Sequence, residues 1–166
     1  PPTSTQGVSS AASDVYKRQS QTHVYSLVLA SQVPHAVGYA MGMVQDRRLA
    51  EEAGEPAPEP GAVTVYFGDG ASTEGEIHES MVFAASYDAP VVFFVQNNGY
   101  AISVPLTRQS AAPTLAHKAV GYGMAGERVD GNDLVALLAA LRRAVELART
   151  ERVPLLVEAH TYRMQA

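Results

Sequence analysis

Apolar residues first recur at helical spacing from Gln32, where Val33, Val37, Ala40, Met41 and Val44 share one face and Pro34 suits a first turn. The pattern predicts a helix from 32 to about 53. It must stop at GEPAPEPG (54–61), because three prolines in five residues cannot continue a helix. AVTVYF (62–67) reads as a strand ending at Gly68, and Ile77, Met81, Ala84 and Ala85 mark one face of a helix over 76–87. VVFFV (91–95) is apolar at every position, as strands covered on both faces are. A further helix is expected over 114–122, with a short strand around Arg128 and Val129. Asn132 suits the N-cap of a helix carrying Leu134, Leu138, Leu141, Val145 and Ala148, and VPLLVEA (153–159) reads as the last strand.

Strand and helix thus alternate through short connections. That order predicts an α/β fold, a doubly wound parallel sheet with helices on both faces. One domain is expected over 23–166. Residues 1–22 are rich in Ser, Thr, Gln and Ala and lack a sustained period, and the run SDVYKRQ within them looks foreign. They read as a disordered or non-homologous segment.

Composition narrows the classes of function. An apolar fraction of 46% and a charged fraction of 17% are those of a globular chain. A net charge of -5 without clustered Lys and Arg speaks against nucleic-acid or membrane-surface binding. Cysteine is absent, which removes disulfides, thiolate metal sites and cysteine nucleophiles and fits a reducing cytoplasm. No apolar run reaches spanning length, and no signal segment opens the chain. The histidines show no close metal-ligand spacing, which argues against zinc, and there is neither a P-loop nor a GxSxG elbow. His78, on the helix after Gly68-Asp69-Gly70, reads first as structural.

The candidate chemistry lies at two strand ends. Gly68-Asp69-Gly70 follows one buried strand and Gln96-Asn97-Asn98-Gly99 the next. Either alone is a common turn sequence. In open parallel sheets, however, ligands bind beyond the carboxyl ends of the strands, so neighbouring strands would bring Asp69 and Asn98 to one rim. A carboxylate and an amide carbonyl are hard oxygen donors suited to Mg²⁺, with diphosphate oxygens completing the octahedron. Gly70 and Ala71 leave room for backbone N–H groups to meet phosphate at the start of a helix.

GDG, 26 residues and then NN is the spacing of thiamine-diphosphate-dependent enzymes. With SQVPHAVGYAMG (31–42), YFGDGASTEGEIHESMVFAA (66–85), APVVFFVQNNGYAISVP (89–105), RVDGND (128–133) and LLVEAHTYR (155–163), the chain resembles the alpha subunit of the decarboxylating component of 2-oxo acid dehydrogenase complexes. NNGYAIS and VDGND look more like the branched-chain form. The resemblance implies the thiamine-diphosphate-binding fold, and Mg²⁺ held by Asp69, Asn98 and the Tyr100 carbonyl. It further implies diphosphate met by Gly70 and Ala71, Leu29 propping the bent cofactor, and Gln96 where some relatives carry an Arg. Some members bind K⁺ near positions equivalent to Ser31 and Gln32, and Glu74 would support the loop. Two departures stand out. Ser26-Leu27-Val28 replaces a usual Ser-Ser-Pro, and the chain ends before the family's loop with a catalytic His, so it reads as truncated at both ends.

The implied activity is oxidative decarboxylation of a 2-oxo acid with acyl transfer to a lipoyl group. The implied partners are a beta subunit, in an α2β2 heterotetramer that supplies a catalytic Glu, and a lipoyl acyltransferase. Three alternatives stay open. These are a pyruvate or acetoin dehydrogenase alpha subunit, a non-catalytic homologue that has lost cofactor binding, and a generic nucleotide-binding module, which lacks a GxGxxG fingerprint.

Overall fold

The computed structural model describes residues 28–164. The segment 1–22 and the departure at Ser26-Leu27 therefore lie outside the described residues. Helix α1 (Gln32–Ala53) ends where Gly54 takes a left-handed conformation, φ 71°, and its N–H returns to the Ala50 and Glu51 carbonyls. Strand β1 (Val63–Gly68) leads into a 3-10 turn (Gly70–Thr73) and helix α2 (Gly75–Ser86). Strand β2 (Val91–Asn97) is followed by a two-strand hairpin, β3 (Tyr100–Ala101) and β4 (Val104–Pro105), and the one-turn helix α3 (Leu106–Gln109). A 3-10 helix (Leu115–Tyr122), β5 (Ala125–Asp130), α4 (Leu134–Glu151) and β6 (Leu155–His160) complete the order.

Strands β1, β2, β6 and β5 form one sheet in that order, and every pairing is parallel. Alternation along the strands builds two cores. Val65, Phe67, Val91, Phe93, Val95 and Leu156 face α1, α2 and the 3-10 helix, where Val33, Val37, Ile77, Met81, Leu115 and Ala119 are buried against them. Val92, Phe94, Leu155, Val157 and Ala159 face α4 through Ala144 and Ala148. Crossovers therefore cover both faces, and the doubly wound parallel sheet expected from the alternation is the fold. Among the described residues no helix is long and apolar enough to cross a membrane.

Three local expectations need correction. The cap of α4 is Asp133, whose Oδ1 accepts from the Val135 and Ala136 N–H groups at 2.9 and 3.0 Å, and not Asn132. Of the expected face, Ala148 is buried and Leu141 and Val145 pack against the β2/β6 core, but Leu134 and Leu138 are exposed at 75% and 48%, and Ala140 and Ala144 take the buried positions. The segment over 114–122 winds as a 3-10 helix and ends at Gly123, which has φ 74°. Strand β5 is also longer than expected. Ala125 and Gly126 have weak strand preference, but they pair in register with Leu155 and Leu156 of the buried β6.

Candidate functional site

Both loops leave the same rim of the sheet. Strands β1 and β2 pair with Gly68 opposite Gln96, and the Asp69 N–H continues the ladder by donating to the Gln96 carbonyl at 3.2 Å. Beyond that point the loops touch. A Cβ built on Gly70 would lie 2.7 Å from the Ala101 Cβ in the hairpin that follows Asn98. Gly70 is thus packed against the Ala101 methyl, and a side chain on it would displace the hairpin.

The Asp69 side chain is buried, and its Oδ2 accepts a long 3.4 Å hydrogen bond from Gln109 Nε2. Gln109 also donates to the Val104 carbonyl at 2.9 Å, while its own Oε1 is buried without a partner among the described residues. Asn98 Oδ1 accepts the Tyr100 N–H at 3.0 Å, which leaves a second lone pair on that oxygen. Gly99 takes φ 84°, so the chain reverses there, and its carbonyl accepts from the Leu106 N–H at 2.9 Å. The Tyr100 ring lies 4.7 Å from the guanidinium of Arg163, which also donates to the Ile102 carbonyl at 2.7 Å. The hairpin is thereby fastened from both ends.

The other expected residues are distributed around this pair of loops. Ala71 is buried in the 3-10 turn that follows Asp69, while the Gln96 side chain is exposed at the end of β2. Leu29 is 61% exposed before α1. Ser31 Oγ donates to the Val28 carbonyl at 2.9 Å, and Gln32 Nε2 donates to the Tyr66 carbonyl of β1 at 2.8 Å. Glu74 is exposed and makes no side-chain cap at the start of α2, so only its backbone holds the loop.

The donor chemistry fits a hard cation. A nearly unpaired buried carboxylate, an amide oxygen with a spare lone pair and a backbone carbonyl are Mg²⁺-type ligands. Among the described residues no three His, Asp or Glu side chains group to hold a metal alone, so exogenous oxygens would have to complete the shell. A cleft lined by Met43, Arg47, Pro58, Gly61, Pro90 and Arg149 opens at the other end of the sheet, before the strands begin. Parallel-sheet ligands bind at the opposite rim, and the cleft brings none of the residues above together.

Three supporting groups escape a reading by hydrophobic period. Gln109 reaches Asp69 from 40 positions away. Lys118 Nζ donates to the Ser72 carbonyl at 2.6 Å and to Ser72 Oγ at 3.3 Å. Glu158 is fully buried, and its Oε1 accepts from Asn97 Nδ2 at 2.7 Å. The last did leave a signal, a carboxylate inside the apolar run LLVEA, which demands buried donors. Near Lys118, His78 Nδ1 is hydrogen-bonded to the Tyr122 hydroxyl. Burial, and secondly the charge of Lys118, hold the His78 imidazole below its ordinary value of 6.5. Burial also lowers the Lys118 ammonium and raises the Tyr122 phenol.

Similarity to known proteins agrees with this architecture. A transketolase from Leishmania mexicana superposes with a TM-score of 0.62 at 18% identity over 81% of this chain and 20% of its own. An enzyme from Mycobacterium smegmatis assigned as thiamin diphosphate-dependent superposes with a TM-score of 0.54 at 24% identity, covering 82% and 23%. At those identities the likeness speaks for the fold. By sequence, the chain is 49% identical over 140 residues to the 3-methyl-2-oxobutanoate dehydrogenase subunit alpha of Mycobacterium tuberculosis, covering 84% of this chain and 35% of that protein. It is 43% identical over 136 residues to the mitochondrial 2-oxoisovalerate dehydrogenase subunit alpha of Caenorhabditis elegans, covering 82% and 29%. The chain thus spans about a third of the length of these curated relatives. The sequence model described as "Dehydrogenase E1 component" matches residues 4–166, and the chain belongs to that family.

Proposed function

We propose that this chain is the Mg²⁺–thiamine diphosphate-holding part of a branched-chain 2-oxo acid dehydrogenase alpha subunit. The observation that carries the reading is the contact between the two strand-end loops, with Gly70 against Ala101 beside a buried, nearly unpaired Asp69. The identity of 49% to a subunit named for 3-methyl-2-oxobutanoate supports the substrate class.

In this reading Asp69, the Asn98 amide oxygen and the Tyr100 carbonyl hold Mg²⁺. Gly70 and Ala71 present backbone N–H groups to the diphosphate, and Gln96 adds a neutral hydrogen bond there. Leu29 supplies the apolar prop, and Ser31 and Gln32 are the candidates for a K⁺ site. Bound thiamine diphosphate supplies the electron sink that decarboxylation of a 2-oxo acid requires. The chain's own part is to bind and orient: a single carboxylate offsets one of the two Mg²⁺ charges and leaves the remainder for diphosphate. The acyl product passes to the lipoyl group of an acyltransferase, and a beta subunit completes the active site in an α2β2 assembly. The cysteine-free composition suits a cytoplasmic setting.

Titration calorimetry of the full-length chain with thiamine diphosphate, with and without Mg²⁺, tests the first step. Metal-dependent heat is expected, and its absence at millimolar cofactor would refute the reading. Turnover with 3-methyl-2-oxobutanoate, pyruvate and acetoin, beta subunit present, then tests the substrate. A preference for pyruvate or acetoin would reassign it.

A further inference from the structure

We propose that Glu158 is a positioning residue that ties the two strand-end loops to each other through the core. The geometry stands by itself, and the consequence for metal and cofactor rests on the function proposed above.

On β6, Leu155, Val157 and Ala159 face α4, so Leu156 and Glu158 face the opposite core. A carboxylate with 0% exposure in that setting needs donors, and among the described residues it has two in direct contact. Oε1 accepts from Asn97 Nδ2 at 2.7 Å, and Oε2 accepts from the Ala116 N–H at 2.9 Å. Arg128 Nε stands 3.8 Å from Oε1 on a half-exposed side chain, too far for a hydrogen bond.

Each contact leads to one loop. Asn97 Oδ1 accepts the Gly99 N–H at 3.0 Å, and the Asn97 carbonyl accepts the Thr161 N–H at 2.7 Å and Oγ1 at 3.2 Å. The side chain gripped by Glu158 therefore sets the turn that presents Asn98. Ala116 lies in the first turn of the 3-10 helix that carries Lys118, whose ammonium holds the Ser72 carbonyl at 2.6 Å. The Ser72 N–H in turn donates to the Asp69 carbonyl at 3.1 Å. One buried group thus braces Asn98 through Asn97, and Asp69 through Ala116, Lys118 and Ser72.

A carboxylate is required because both facing groups are donors. Glutamine offers one acceptor and one NH₂, so Glu158→Gln leaves a donor facing a donor. The geometry also predicts its own repair. With Asn97→Asp added, the introduced aspartate accepts from the Gly99 N–H with one oxygen and from the introduced glutamine amide with the other. The glutamine carbonyl is then free for the Ala116 N–H, so all three hydrogen bonds return.

The test compares wild type, Glu158→Gln and the double variant Asn97→Asp/Glu158→Gln in the full-length chain. Amide hydrogen exchange without cofactor is read first. Glu158→Gln is expected to speed exchange at Gly99, Tyr100 and Ser72 by about 10-fold, and the double variant to restore it. Calorimetric affinity for Mg²⁺–thiamine diphosphate should fall by about 10- to 100-fold and recover in the same pattern. If Glu158→Gln does not fold, a folded double variant with wild-type exchange supports the proposal. Unchanged exchange in Glu158→Gln, or loosened loops in a folded double variant, overturns it. Should wild type bind no cofactor, the functional reading fails, and the exchange measurement still decides the positioning role.

Discussion

Gly70 and Ala101, 31 positions apart, stand so close that a side chain on the glycine would place its Cβ 2.7 Å from the alanine Cβ and 3.4 Å from its Cα. Gly70→Ala must push the hairpin away from the Asp69 loop. Overpacking of this kind costs about 1–3 kcal/mol, seen as a lower denaturant midpoint. Metal-dependent cofactor binding should weaken in parallel. The reciprocal change, Gly70→Ala with Ala101→Gly, returns the methyl volume to the same gap and should recover most of both losses. Failure to recover would mean that the glycine serves its own backbone rather than the contact.

Asp69→Asn separates stability from ligand binding. The carboxylate is buried, and among the described residues its side chain takes only the long contact from Gln109, so its charge has little compensation from them. The amide keeps the shape and can still accept from Gln109, so the unliganded variant should gain about 1 kcal/mol. The rise in melting temperature on adding Mg²⁺ and thiamine diphosphate should disappear. Thermal melts with and without both ligands check the two signs together. A variant that keeps the ligand-dependent rise would remove Asp69 from the metal site.

The sheet was legible because Val91–Val95 is apolar without interruption and Val63–Gly68 runs into Gly-Asp-Gly, so strand ends and loops could be placed by composition alone. That put both loops at one rim on the condition that the two strands are neighbours, which the β1–β2 pairing meets. It could not show what lies beneath them. Gln109 reaches Asp69 across 40 positions and Glu158 reaches Asn97 across 61, and contacts of that separation follow from chain path, which no local period encodes. The hairpin of Tyr100–Ala101 and Val104–Pro105 escaped for another reason. Its strands are two residues long, and Ile102 turns with φ 54°, a conformation a β-branched residue seldom adopts. In α4 the apolar period holds at Leu141, Val145 and Ala148, which pack against the core, and fails at the first turns, where Leu134 and Leu138 stay exposed.

The cap of α4 gives a direct check on that last correction. Asp133 Oδ1 accepts two backbone N–H groups, from Val135 and Ala136, whereas Asn132 contributes its own N–H to Asp130 Oδ1 at 2.9 Å. Asp133→Ala should therefore lower stability by about 1 kcal/mol, within the range measured for helix caps. Asn132→Ala should change it by less than about 0.5 kcal/mol. Urea midpoints of the two variants measure the difference, and equal losses would place the cap elsewhere.

The pair of His78 and Tyr122 predicts how stability follows pH. Among the described residues His78 is hydrogen-bonded to the Tyr122 hydroxyl and feels the Lys118 ammonium, and burial with the Lys118 charge lowers the imidazole below 6.5. Below 6.5 the unfolded chain binds a proton that the folded chain resists. The stabilisation is thus complete above 6.5 and is lost as pH falls through the lowered folded value. His78→Gln carries no titrating group and should flatten the slope of denaturant midpoint between about pH 5 and pH 7. Lys118→Met acts on the second cause alone. The imidazole should titrate at higher pH, followed by NMR, while the protein loses about 1–3 kcal/mol because the buried Ser72 carbonyl is left without its donor. An unmoved His78 titration in Lys118→Met would assign the whole depression to burial, and an unmoved pH slope in His78→Gln would transfer the effect to another group.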